Sequence, residues 1–202
     1  MKLLVDTDIF CKLGISELLP RAIELLGADV TECGRLAALP HMLKRGSLTT
    51  TYGSQKCEDL LPVAQSMSVV DQFDDVWLDK LIQVQSIDIG EAQLFAAGAE
   101  SGLIVMTGDK RALRALKNIP DFTDSLAGRI VVMETILIAL CDTFGSDEVR
   151  RCVQDLTASD KMVQICFSSG VSNPLEGLMS YYADLKVELN PLILWDPRPG
   201  QS

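Results

Sequence analysis

Acidic residues recur at three places where the chain turns from apolar to polar. Leu3-Leu4-Val5 runs into Asp6-Thr7-Asp8, Leu103–Met106 runs into Thr107-Gly108-Asp109, and Asp88-Ile89-Gly90-Glu91 opens an alanine-rich stretch. A carboxylate at the end of an all-apolar strand is costly without partners, so Asp6 is the hardest of these acids to explain as plain structure. Carboxylates that converge repel: two charges ~4 Å apart cost about 1 kcal/mol in water and about 4 kcal/mol at an effective dielectric near 20. Such a cluster persists when a proton is shared or a cation lies between its members. The chain has one histidine, His41, and its six cysteines form no C-x-x-C pair, so the usual zinc ligand sets are missing. A hard cation, Mg²⁺ or Mn²⁺, suits carboxylate oxygens alone. Such an ion polarises phosphoryl oxygens and acidifies a bound water, which is the chemistry of phosphodiester hydrolysis.

For Asp6, Glu91 and Asp109 to meet, the chain must bring residues about a hundred positions apart to one sheet edge. Short apolar runs at Lys2–Val5, Ala28–Thr31, Leu103–Met106 and Arg129–Met133 read as strands. Helical stretches are expected at Ile9–Leu19 (capped by Asp8), Arg21–Leu26, Cys33–Lys44, Glu58–Gln65 and Asp75–Ser86. The D-x-x-E box of Asp88 and Glu91 opens a further helix over Ala92–Glu100, which Gly102 stops. Ser47–Gln55 reads as a polar loop. Strands alternating with helices predict a three-layer α/β/α fold with a mainly parallel central sheet. In such a sheet ligands bind beyond the C-terminal strand ends, where a helix preceding a strand also begins. That edge receives all three acids.

Three of the acids also have a plain structural reading. Glu91 completes the capping box with Asp88, Asp8 is placed to cap the first helix, and Asp109 is placed to cap Lys110–Lys117. Lys110, Arg111, Arg114 and Lys117 make that helix basic. Lys110 and Arg111 stand nearest the acids and are the candidates for holding phosphates, although the same face can simply be solvated and offset nearby acid. Tyr52 in the expected loop is a candidate for stacking on a base. His41 reads as structural or exposed, and the cysteines as reduced core residues.

From residue 134 the pattern is helical: Thr135–Thr143, Asp147–Leu156, Lys161–Phe167 and Pro174–Leu189, the last with Asn173 as its cap and Glu176 three residues on. The expected organisation is an α/β domain over 1–134, a helical extension over 135–195 packed on it, and a flexible tail over 196–202. With 202 residues, 48% of them hydrophobic, the chain is long enough for one sizeable core. Its net charge of −10 disfavours bulk attraction to duplex nucleic acid. Mean hydropathy is +0.21, yet the longest apolar run, Ile130–Cys141, is broken by Glu134 and Thr135 and is too short for a bilayer. Met1–Val5 reaches Asp6 too soon for a signal peptide, so a cytoplasmic location without membrane attachment is expected. G-x-x-x-x-G-K-[ST], G-x-G-x-x-G and G-x-S-x-G are all absent from the sequence.

Leu-Leu-Val-Asp6-Thr-Asp8-Ile-Phe resembles the opening strand of PIN domains. The stretch from Gly90-Glu91 through Thr107-Gly-Asp109-Lys is similar to the second half of their motif, an acid opening an alanine-rich helix, then a strand ending in Thr-x-Asp. The likeness is specific over 1–10 and 88–117, looser to about 134, and does not cover the C-terminal quarter. It implies a PIN-like metal-dependent ribonuclease, of the kind used as toxin–antitoxin toxins and in RNA processing, acting on single-stranded or structured RNA. By that resemblance Asp6, Glu91 and Asp109 are the catalytic Mg²⁺ or Mn²⁺ ligands, Asp8 is a further metal or water contact, and Thr107 shapes the site or touches substrate. An antitoxin or a second copy of the chain is the implied partner. The family carries one more acid after its second strand; Val30–Lys44 offers Glu32, with Glu58 and Asp59 as further candidates. Two alternatives remain. Asp6-x-Asp8 also resembles the nucleophile and acid/base pair of haloacid-dehalogenase-type phosphatases, and a catalytically degenerate PIN-like module would bind a partner only.

Overall fold

The computed structural model describes residues 1–70 and 75–198. Five strands, β1 (Leu3–Val5), β2 (Cys33–Arg35), β3 (Ser68–Val69), β4 (Ile104–Met106) and β5 (Ile130–Val131), form an all-parallel sheet in the order β3-β2-β1-β4-β5. Thirteen helices surround it among the described residues. The fold is α/β and mostly helical, an arrangement consistent with a three-layer α/β/α fold. Because the chain leaves β1 toward β2 on one side and later returns to β4 on the other, the strand order reverses between β1 and β4. At such a reversal the connections diverge and leave a crevice beyond the strand ends.

The strands of the central pair are short, buried and in register, with Val5 opposite Met106. One step further, the Asp6 N–H donates to the Met106 carbonyl at 2.9 Å, and the Thr107 N–H to the Val131 carbonyl at 3.0 Å. Asp6 and Thr107 are therefore held at the edge by the ladder itself. Helix α7 (Ile89–Ser101) runs back into β4 and starts at the same edge, which brings Glu91 there. Its glycine Gly98 lies against the sheet: a Cβ at that position would stand 2.4 Å from Cγ2 of Val105. Glycine lets helix and strand approach closely at this point.

Several boundaries differ from expectation, for local reasons. Helix α1 is Thr7–Ile15 and its cap is Asp6, whose Oδ1 accepts from the Thr7 N–H at 2.7 Å; Asp8, expected as the cap, lies inside the first turn. Pro20 sits in the first turn of α2 (Leu19–Leu25), where its missing N–H is harmless, instead of ending the preceding helix. The second strand is Cys33–Arg35, not Ala28–Thr31, because Glu32 accepts from the Asp29 N–H at 3.1 Å and closes a 3₁₀ turn over Val30–Glu32. Only Leu39–Lys44 (α3) of the helix expected from Cys33 forms. The expected loop is largely helical, α4 (Ser47–Tyr52) and α5 (Ser54–Ser66), divided at Gly53, whose φ of +88° suits glycine. Helix α6 (Asp75–Ile82) stops short of Ser86, and α9 (Pro120–Ser125) and β3 were not foreseen.

Helix α8 (Lys110–Leu116) follows β4. The C-terminal helices α10 (Met133–Phe144), α11 (Ser146–Cys152), α12 (Lys161–Phe167) and α13 (Pro174–Leu189) form where helices were expected, although Asn173 makes no side-chain cap bond at the start of α13. They are joined to the rest by one hydrophobic core that runs across residue 134. Helix α10 contacts α2, and α13 contacts α8. The chain then returns to the sheet, where the Trp195 N–H donates to the Ile130 carbonyl at 2.8 Å. Of the tail expected from 196, Arg198 is tied to Asp142 by two hydrogen bonds of 2.6 and 2.5 Å, while 199–202 lie outside the described residues. No helix among the described residues is long and apolar enough to cross a membrane. The six cysteines are unpaired and all but Cys152 are buried.

Candidate active site

Beyond the ends of β1 and β4 lies a pocket of about 500 Å³, lined by Asp6, Asp8, Asp88, Glu91, Asp109 and Lys110 together with Thr7, Leu48 and Gly108. Asp6, Glu91 and Asp109, the three acids expected at this edge, all line it. Asp88, foreseen only as a helix cap, joins them, and Leu48 comes from the stretch expected to be loop. Lys110 is the one cation in this lining.

Most of these acids also begin a helix. Asp6 caps α1. The Glu91 N–H donates to Asp88 Oδ1 at 2.9 Å, and the Asp88 N–H donates to Glu91 Oε2 at 2.7 Å, which is the reciprocal capping box of α7. Asp109 Oδ1 accepts from the Ala112 N–H at 2.9 Å and caps α8. Helix N-termini carry partial positive charge and unpaired N–H groups, so they suit carboxylates. A carboxylate has two oxygens. Capping engages one oxygen each of Asp6, Glu91 and Asp109 and leaves the second for another role. The structural and functional readings of these residues therefore do not exclude each other. Replacing Asp88 by Ala removes the carboxylate that accepts from the Glu91 N–H and so removes one cap, while the backbone N–H that Glu91 Oε2 accepts from stays. A loss of about 1 kcal/mol is expected, seen as a melting temperature about 2–4 °C lower in thermal denaturation.

The pocket relieves its own repulsion in three ways. Burial, reinforced by the charge of Asp8, raises the Asp6 carboxyl to about 6 against the stabilising Thr7 and Asp8 N–H groups. Burial likewise raises the Glu91 carboxyl against the Asp88 N–H, and the hydrogen bond and charge of the neighbouring Asp109 add to the rise. Asp109 falls below the usual carboxylate range: burial opposes this, but the Ala112 N–H, the Glu91 hydrogen bond and Arg111 outweigh it. Asp8 is held differently, with Oδ2 at 2.8 Å from Lys12 Nζ. It also lies against the turn after β4, where a Cβ on Gly108 would stand 2.8 Å from Asp8 Oδ2. Lys12 in turn bonds Asp160, the cap of α12, at 2.8 Å. A C-terminal helix thus reaches the rim of the pocket.

Among the described residues, no three His, Cys, Asp or Glu side chains already stand together as a metal-holding group. The donors are nevertheless those a hard cation takes: acidic oxygens around one pocket, among them a Glu91 carboxyl raised beside Asp109.

The other candidates divide. Thr107 is 1% exposed and its Oγ1 accepts from the Asp109 N–H at 3.3 Å, so it shapes the turn and does not reach a substrate. Arg111 is exposed and stands 3.4 Å from Asp109 Oδ2, but it lines a neighbouring groove with Ser86 and Arg114. Arg114 and Lys117 are engaged by Glu188 of α13. Glu32 does not supply the further acid. It precedes β2 at the opposite, N-terminal end of the sheet and pairs with Lys2 at 2.9 Å. Neither Glu58 nor Asp59 lines the pocket, and His41 is exposed. Tyr52 is half-buried at the end of α4, and burial, then the charge of Asp8, raises its hydroxyl to about 12.

Two further groups escaped the sequence reading. Lys12 and Asp160 carry no motif. Glu134, which pairs with Lys110, had a signal that was legible: it is an acid in the middle of the longest apolar run. Compared with protein-family models, characterised proteins and solved structures, the chain matches none.

Proposed function

We propose that this chain is a PIN-like, metal-dependent ribonuclease that hydrolyses RNA phosphodiester bonds. The observation that carries this reading is the gathering of Asp6, Glu91 and Asp109, from the ends of two strands and the start of a helix, around one pocket at the strand-order reversal. These are the three positions to which the sequence resemblance assigns the catalytic metal. Asp6, Glu91 and Asp109 would hold Mg²⁺ or Mn²⁺, with Asp8 beside them. When bound, such an ion polarises a phosphoryl oxygen and lowers the pKa of a water. The protein's own part is to fix the donors through three helix caps, to keep Asp8 in place through Lys12, and to offer Lys110 to a substrate anion.

With its carboxyl raised, Glu91 must give up any proton it carries before it can hold a cation. Metal binding is therefore expected to release protons and to tighten as pH rises. The test is thermal denaturation and cleavage of a labelled single-stranded oligoribonucleotide with millimolar Mn²⁺ or with EDTA. Mn²⁺ is expected to raise the melting temperature, more at pH 8 than at pH 6, and to support cleavage that EDTA stops. No stabilisation and no cleavage overturns the proposal. Phosphate captured covalently on Asp6 overturns it in favour of phosphatase chemistry.

A further inference from the structure

Glu134 is the second residue of α10 and is 1% exposed. Its Oε2 has no hydrogen-bond partner, and its Oε1 accepts from Lys110 Nζ. A buried carboxylate with one oxygen unmet is destabilising relative to an apolar side chain of the same size. The neighbours of Glu134 in the sequence are almost all apolar, so an apolar residue would fit that stretch. The acid's partner is the cation that lines the carboxylate pocket.

An ammonium has three N–H donors. Glu134 engages one and thereby fixes the direction of the other two. The Lys110 side chain remains 34% exposed, so those donors are open to a ligand. Neither neighbouring arginine is held by a fully buried acid: Arg111 pairs with Asp109 and Arg114 with Glu188, both partly exposed, and the two arginines line the adjacent groove.

Resting on the ribonuclease reading, we propose that Glu134 is a positioning residue. It clamps Lys110 at the lip of the pocket so that the ammonium donates to a non-bridging phosphate oxygen of single-stranded RNA. Glu134 itself touches no substrate. The C-terminal helices thereby contribute to RNA binding from below the site.

The test uses the full chain carrying Asp6→Asn, which keeps the RNA intact, and measures the affinity of a labelled single-stranded oligoribonucleotide by fluorescence anisotropy. Adding Glu134→Gln is expected to weaken binding by about fivefold or more, and Glu134→Asp to recover part of the loss. In the otherwise native chain, Glu134→Gln is expected to leave Mn²⁺ affinity within about twofold, since the acids that hold the ion keep their own bonds. Lys110→Met should lower the melting temperature more than Glu134→Gln does, because it strands a buried charge whereas the glutamine strands only a half-exposed one. Unchanged RNA binding in Glu134→Gln overturns the inference. So does a parallel fall in Mn²⁺ affinity and melting temperature without rescue by Asp, which marks a purely structural role. If RNA binding follows Glu134 but the native chain cuts no RNA, the clamp stands and the ribonuclease reading falls. If the parent binds no RNA, both fall.

Discussion

Replacing Asp6 by Asn is expected to lower Mn²⁺-dependent RNA cleavage by about a hundredfold or more, while making the metal-free protein more stable. The first effect follows from the position of Asp6. Losing a residue that merely orients a metal ligand weakens affinity or activity about 10- to 100-fold, and Asp6 is assigned as a ligand itself. The second follows from its burial. The Asp6 carboxyl is raised from 3.8 to about 6, so between those two pH values the native state binds a proton that the unfolded chain has already lost. Stability is therefore lost as pH rises from about 4 through 6, and the loss at neutral pH is on the order of 2–3 kcal/mol. Asparagine caps a helix as well as aspartate and carries no charge, so it avoids that loss. In EDTA the variant should melt about 4–8 °C higher at pH 7, with the difference shrinking toward pH 4. Equal cleavage by both proteins, or a variant that is less stable at pH 7, contradicts the assignment.

Lys12→Met is expected to give the largest loss of stability. The ammonium lies between Asp8 and Asp160, at 2.8 Å from each, and both Lys12 and Asp160 are largely buried, with side chains 18% and 12% exposed. Removing the cation leaves Asp160 charged and enclosed. Breaking such a pair from one side costs about 3 kcal/mol, or a fall of roughly 5–10 °C in melting temperature. The pH dependence has a definite sign. In the native protein burial acts to raise the Asp160 carboxyl, but the hydrogen bond and charge of Lys12 outweigh it and hold it below 3.8. A lowered carboxylate contributes stability above its unfolded value and loses it as pH falls through the folded one. The gap between native and variant proteins should thus be full at pH 7 and close below about pH 4, in parallel denaturant titrations. A gap that persists at low pH would mean that packing of the lysine stem, not its charge, is what Lys12 supplies.

The site was more legible in the sequence than the framework around it. Asp6, Glu91 and Asp109 could be paired because each sits at a switch between apolar and polar residues, and parallel-sheet geometry sends all such switches to one edge. Helix α7 was readable for a similar reason: its cap, its box and its terminal glycine are local signals. The second strand was not. Val30 and its neighbours are apolar enough for a strand, but the Asp29–Glu32 turn consumes them, and Cys-Gly-Arg, a poor strand by composition, forms the pairing because β1 offers it a buried edge. The polar stretch at 47–55 became helical on either side of Gly53, its first helix bounded by glycines at 46 and 53, while Thr49 and Thr50 turn their hydroxyls onto the Gly46 carbonyl. Lys12, Glu134 and Asp160 were invisible as a group because Lys12 and Asp160 lie 148 positions apart and Lys110 and Glu134 lie 24 apart, and charge pairing over such separations exists only after folding. Their consequence is that the C-terminal helices hold two lysines beside the acidic pocket.

The most direct measurement of the metal assignment is anomalous diffraction from crystals of the full chain soaked in millimolar Mn²⁺. The expected result is a single strong peak in the pocket, roughly 2.0–2.2 Å from oxygens of Asp6 and Asp109 and reached by Glu91. Well-ordered acids around a pocket without any peak, at a pH where all three are ionised, would contradict it.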